Sequence, residues 1–192
     1  HIHGVVTTPH EINELFDLSE ANTRQLASLF FECSGLAYEN ICRARYGCVI
    51  GQIQILHTWN QQLHRHVHIH TILTAGGLSE DGSHWITIPL EDRESLQQAL
   101  AIEFKRLFMV RLKRRLKTKR ITDNGRGQAI LEAMGAKNWV VCMQVPKAKY
   151  QSPLGLINYL SNYVMGMAIS DSRMLSDDDG IVKFTSRQRV GE

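Results

Sequence analysis

The sequence predicts an α/β (α+β) domain, a central mainly antiparallel sheet with flanking helices. Segments of period-two alternation rich in β-branched residues, at 2–9, 48–59, 66–77 and 138–145, are interleaved with long segments of helical periodicity. Several neighbouring strands are joined by stretches too short for a crossover helix, so they pair as hairpins, which argues against a doubly wound nucleotide fold. At 192 residues and 43% hydrophobic content the chain can bury one substantial core, so residues 1–192 are expected to form a single domain.

The elements follow in order. "IHGVVTTP" alternates and stops at Pro9, giving a first strand. Ser19 is placed to cap a helix from Glu20 to about Arg45, with Leu26, Leu29, Phe30, Cys33, Leu36, Ala37 and Ile41 at helical spacing and Gly47 closing it. "CVIGQIQILHTW" is a strand, "NQQLHR" a polar connection and "HVHIHTILTAGG" the antiparallel neighbour. Asp81-Gly82 marks a tight turn. A helix is expected from Ser95 to about Lys117, a short one in "GRGQAILEAMG", and a strand in "NWVVCMQV". Ser152-Pro153 starts another helix, because proline at the first helical position loses no hydrogen bond. Leu154, Ile157, Leu160, Val164 and Met167 form its apolar stripe, and "ISDSRML", "SDDDG" and "IVKFTS" make a closing hairpin. The sequence carries no internal repeat, no G-x-G-x-x-G and no P-loop.

Composition narrows the function classes. No apolar run reaches the roughly 18 to 20 residues that cross a bilayer, and no stretch has the order of a signal peptide, so a soluble, cytoplasmic protein with no membrane partner is expected. The four cysteines lack C-x-x-C spacing, so neither a zinc knuckle nor a disulfide framework is indicated. The opening at His1 and the stop at "RQRVGE" read as the limits of an excerpt. Net charge is only +3, but nine Lys or Arg residues lie between Phe104 and Arg120 with no acidic residue among them. With nothing inside the run to pair at i,i+4, Arg111, Lys113, Arg114, Arg115 and Lys117 are candidate phosphate contacts.

Two constellations carry chemistry. In an extended strand His66, His68 and His70 share one face, while Val67, Ile69, Thr71 and Leu73 share the other. Neighbouring imidazoles then stand roughly 6 to 7 Å apart at Cβ, near enough to meet at one divalent ion. The third ligand is open between His57 and His66. A hairpin centred between Gln62 and Leu63 sets His57 opposite His68. Polarity argues against that register, which puts Ile53 and Ile55 on the histidine face and turns Gln52 and Gln54 to the core. His1 and His3 repeat the spacing without a nearby third ligand and read as a frayed strand start or an excised boundary. The second constellation is Tyr159 and Tyr163, one helical turn apart and about 100 to 140° from the centre of the apolar stripe. A phenol of pKa near 10 is a weak nucleophile, and attack on a phosphodiester needs a cation beside the phosphate.

These residues resemble a known family. "HIH" at 68–70 resembles the HUH motif of single-stranded DNA endonucleases, and "YLSNY" the paired tyrosines of their two-tyrosine branch. With "VVTTPHEIN", "LHTWNQQLHRHVHIHTILTAGGLSEDG", "NWVVCMQVPK" and "YLSNYVMGMAISDSRMLSDDDGIVKF", the chain is similar in order and over nearly its whole length to rolling-circle transposases of the insertion-sequence-ninety-one family. The resemblance implies an HUH endonuclease, ferredoxin-like (RRM-like) core, with Mg²⁺ or Mn²⁺ held by His68 and His70. It favours His57 as third ligand, because the family tends to carry His or Gln there. It implies that Tyr159 or Tyr163 attacks single-stranded DNA at an element end, forming a 5′-phosphotyrosine link and a free 3′ hydroxyl. The partners implied are the element ends and target DNA, with the protein nucleoid-associated when bound. Two departures stand out: Val67 where the family usually has proline, and no cysteine-rich zinc-binding segment. A non-catalytic nucleic-acid-binding module of the same fold, a replication initiator or relaxase, and a zinc hydrolase are the alternative readings.

Overall fold

The computed structural model describes residues 1–60, 62–89, 91, 93–145, 152, 154–155, 157–158, 161 and 171–186. The strands are β1 (Ile2–Thr7), β2 (Cys48–Trp59), β3 (Arg65–Ser79), β4 (Trp85–Thr87) and β5 (Val141–Gln144). They form one sheet in the order β2-β3-β1-β5, with every paired neighbour antiparallel and β4 added at the far end of β3. The helices are α1 (Asn13–Phe16), α2 (Glu20–Tyr46), α3 (Arg93–Lys117) and α4 (Gly127–Ala136). With α2 between β1 and β2 and α3 between β3 and β5, the chain has the strand order of a split β-α-β, ferredoxin-like arrangement. A separate hairpin pairs β6 (Met174–Asp178) with β7 (Ile181–Phe184).

The long helix forms where the sequence caps it. Ser19 Oγ accepts the Asn22 N–H at 3.1 Å, satisfying a donor that the first turn leaves open, and Gly47 ends the helix in the left-handed region at φ 65°. α3 runs back antiparallel beside α2, as the contacts Arg45 to Ser95, Asn40 to Glu103, Glu32 to Arg111 and Asn22 to Thr122 trace in turn. Between them Phe30 meets Phe108 edge-on at 4.9 Å, and Trp139 closes on Phe104 and Phe108 at 5.3 and 5.5 Å. Truncating such a buried ring to alanine costs about 3–5 kcal/mol. The same core takes Val67, Ile69 and Leu73 from β3, so one face of the sheet is covered by α2 and α3 and the histidines fall on the other.

β1 lies against α2 at one point that tolerates no side chain. The fully buried Tyr38 places its hydroxyl where a Cβ on Gly4 would stand. Gly4→Ala is therefore expected to lower stability by about 1–3 kcal/mol. Tyr38→Phe should recover part of that loss in a double-mutant cycle followed by denaturant midpoints, whereas strictly additive effects would show that the two groups do not collide.

Ser152 caps the predicted later helix, its Oγ accepting the Gly155 N–H at 3.0 Å, and Leu154, Gly155, Ile157, Asn158 and Ser161 are helical. Leu154 and Ile157 are 68% and 61% exposed while Gly155 is buried, so these two members of the apolar stripe do not face the core. Helical periodicity identifies a face without saying what covers it. Leu160, Val164, Met167, Tyr159 and Tyr163 lie outside the described residues. Among the described residues, no helix is long and apolar enough to cross a membrane.

Candidate metal centre

Strand register brings the histidines together. β3 sets His68 opposite His57 of β2 and opposite Thr7 of β1, and sets His70 opposite Ile55 and Val5. This is the register that polarity argued against, with Gln52 and Gln54 on the core side and Ile53 and Ile55 beside the histidines. It is admissible because β2 is the edge strand and its glutamines reach the flank of α2. Gln52 Nε2 donates to Gly35 O at 3.2 Å, and the Gln54 amide lies 2.8 Å from that of Gln52. A buried amide with partners costs little, and the sheet keeps the pairing.

His57, His68 and His70 form a group whose ligand nitrogens all lie within 4.8 Å of one another. The His57 ring stands 5.3 Å from His68 and 4.6 Å from His70, and His68 stands 4.9 Å from His70. His66 is outside this group. Its ring neighbours His68 at 5.0 Å, and its backbone oxygen lies 2.9 Å from His68 Nδ1. With the proton on Nδ1, that bond leaves the lone pair of His68 on Nε2, a tautomer able to ligate a metal. Three imidazoles fit a divalent transition ion and could hold one here. His64 precedes β3, as its place in the polar connection suggested.

Burial depresses His68, His70 and His3. His68 is lowered to about 4 and His70 to about 3, each chiefly by desolvation and further by neighbouring histidines, while His3 is lowered to about 4 by desolvation. The unfolded chain, titrating near 6.5, then binds more protons than the native state at intermediate pH. Stability from these groups is present above about pH 6.5 and lost as pH falls through the interval toward 4. The metal-free protein should show a falling Tm from pH 7.5 to pH 5 in a thermal melt, and the slope should flatten in a His68→Ala, His70→Ala variant; equal slopes would refute the assignment.

His3 is the participant that local sequence misses. The second "HIH" is not a frayed end: β1 is a central strand, His3 is 4% exposed, and its Nε2 lies 2.8 Å from His70 Nδ1 with the rings stacked at 5.1 Å. Period-two alternation in "HIHGVV" gives the strand. Only the pairing of β1 with β3 gives the neighbour.

The basic run is divided. Arg111 Nε donates to Glu32 Oε1 at 2.7 Å, Arg115 Nη2 donates to Glu32 Oε2 at 2.9 Å, and the buried Arg115 also donates to Gln25 O. The hydrogen bond from Arg111 leads the effects that hold the Glu32 carboxyl below its ordinary value. Nothing acidic lies within the run to pair at i,i+4, and the partner of Arg111 and Arg115 comes instead from the neighbouring helix. Lys113, Arg114 and Lys117 are exposed. They lie at the end of α3 nearest the start of α2, on the helix side of the sheet. The histidines lie toward the same end on the opposite face.

The model of a family described as "Putative transposase" matches residues 51–191, a segment that contains the histidine strand and both candidate tyrosines. The chain is 28% identical over 204 aligned positions to "Putative transposase y4qJ" of Sinorhizobium fredii (strain NBRC 101917 / NGR234). That alignment covers 88% of this chain and 46% of the relative, so the chain spans about half the length of the curated protein it matches. No solved structure matches it. Most of the chain being covered by the family model, this protein belongs to the family described as "Putative transposase".

Proposed function

We propose that residues 1–192 form the catalytic domain of a transposase that nicks and rejoins single-stranded DNA at element ends. The convergence of His57, His68 and His70 on the sheet face opposite α2 and α3, in a chain of this family, carries the reading. The three imidazoles would hold Mn²⁺ or Mg²⁺, and an all-nitrogen donor set favours Mn²⁺, since Mg²⁺ prefers oxygen. When bound, the ion supplies a Lewis acid for a phosphate oxygen. Tyr159 or Tyr163 attacks phosphorus through Oη and loses the phenol proton. The P–O3′ bond breaks, the 3′ oxygen leaves as a hydroxyl, and the 5′ phosphate stays on the tyrosine. Attack by a 3′ hydroxyl reverses the step and rejoins the strand, with the second tyrosine available for another transfer.

The test is a single-stranded oligonucleotide carrying the element end, labelled 3′ of the nick. Incubation with Mn²⁺ or Mg²⁺ should transfer label to protein in a form that survives denaturation, and chelation should prevent it. Binding without an adduct in either ion would instead identify a non-catalytic DNA-binding module of the same fold.

Phosphate contacts are assigned to Lys113, Arg114 and Lys117, while Arg111 and Arg115 clamp α3 to α2. Each single-strand phosphate neutralised contributes roughly 0.7 to the slope of log K against log salt, so replacing all three by alanine should reduce that slope by about 2. An unchanged slope would remove them from the interface.

A further inference from the structure

We infer that His3 is a positioning residue for the metal centre: by accepting a hydrogen bond from His70 Nδ1–H, it fixes His70 in the tautomer whose Nε2 faces the ion. This rests on the reading of His57, His68 and His70 as ligands. The two nitrogens involved are 2.8 Å apart, a hydrogen-bond distance, and the ring planes are nearly parallel at an interplanar angle of 6°. Two imidazoles can share that bond in only two ways. If His3 donated, His70 would carry its proton on Nε2 and could not ligate through that atom. If His70 donates, Nε2 holds the lone pair and His3 presents its own Nε2 lone pair as acceptor.

The neighbouring ligand has the same arrangement from a different source. His68 Nδ1 is held by the backbone oxygen of His66 at 2.9 Å. At His70 the partner of Nδ1 is instead a side chain, supplied by β1. Its placement is set by sheet register. His3 is opposite Ile72, two residues beyond His70 on the same face, and Val5 is opposite His70 itself. The acceptor therefore reaches diagonally across the strand pair, a span open to an aromatic side chain. The two "HIH" copies thus divide the work, the β3 copy ligating and the β1 copy orienting.

Groups of this kind usually contribute 10–100-fold to metal affinity. The test is Mn²⁺ affinity by titration calorimetry on the full chain, with nitrogen-detected NMR of the metal-free protein to read the His70 tautomer. His3→Leu is expected to weaken Mn²⁺ binding by about 10–100-fold and to shift His70 from the Nδ1–H toward the Nε2–H form. His3→Gln, which keeps an acceptor oxygen, should restore most of the affinity and the tautomer. A lost affinity in both variants with the His70 tautomer unchanged would mean that His3 only packs the sheet, and unchanged affinity in His3→Leu would overturn the inference. Failure of the wild-type protein to bind Mn²⁺, by contrast, would overturn the metal reading itself.

Discussion

Replacing both His68 and His70 by alanine is expected to bring Mn²⁺ binding and metal-dependent DNA cleavage below detection. The two rings supply two of three converging nitrogens, and a single remaining imidazole is an ordinary surface-strength ligand. The loss should leave the fold intact, since the core side of β3 is held by Val67, Ile69 and Leu73, and removing desolvated imidazoles relieves a burial cost. Calorimetric titration and a melt on the same sample separate the two effects. The third ligand is tested beside it. His57→Ala should weaken binding strongly, whereas His66→Ala should weaken it little, because His66 serves His68 through its backbone oxygen, which alanine keeps. If His66→Ala costs as much as His57→Ala, the third ligand has been misassigned. Activity undiminished in the double variant would remove the site altogether.

Much of this geometry is written locally. Ser19 and Gly47 bound α2, the hairpin centre between Gln62 and Leu63 sets His57 against His68, and alternation in "HVHIH" separates ligands from core. What fails is any inference that needs to know which element lies next door. Gln52 and Gln54 look misplaced toward a core until α2 is seen to offer them partners. Arg111 and Arg115 look like open cations until Glu32, some eighty positions earlier, appears between them. His3 looks terminal until β1 is found to be central. Each error has the same origin: propensity and periodicity encode the element and its faces, while the occupant of a face is fixed by tertiary pairing that no window of sequence contains.

The tyrosines are the remaining link, and their removal is expected to be as complete in effect as removal of the histidines. Tyr159→Phe combined with Tyr163→Phe should abolish the covalent DNA adduct while leaving Mn²⁺ affinity at the wild-type value, because phenylalanine keeps the ring and deletes only the oxygen proposed to attack. Two of the chain's five tyrosines are poor substitutes for them. Tyr38 is fully buried against Gly4, and burial pushes its phenol above the ordinary value, further from the nucleophilic phenolate. Tyr46 ends α2 at the start of β2, nine or more strand residues from His57, on the order of 30 Å away. Tyr159 and Tyr163 are four positions apart in sequence, the spacing of one helical turn, so two phenols could serve two successive strand transfers at one ion. The single variants divide the roles: the variant that still forms the first adduct shows that the tyrosine it has lost is dispensable for the first attack. An adduct that persists in the double variant would assign the nucleophile elsewhere, and an adduct lost together with Mn²⁺ affinity would mean that the substitutions disturbed the histidine centre rather than the attack.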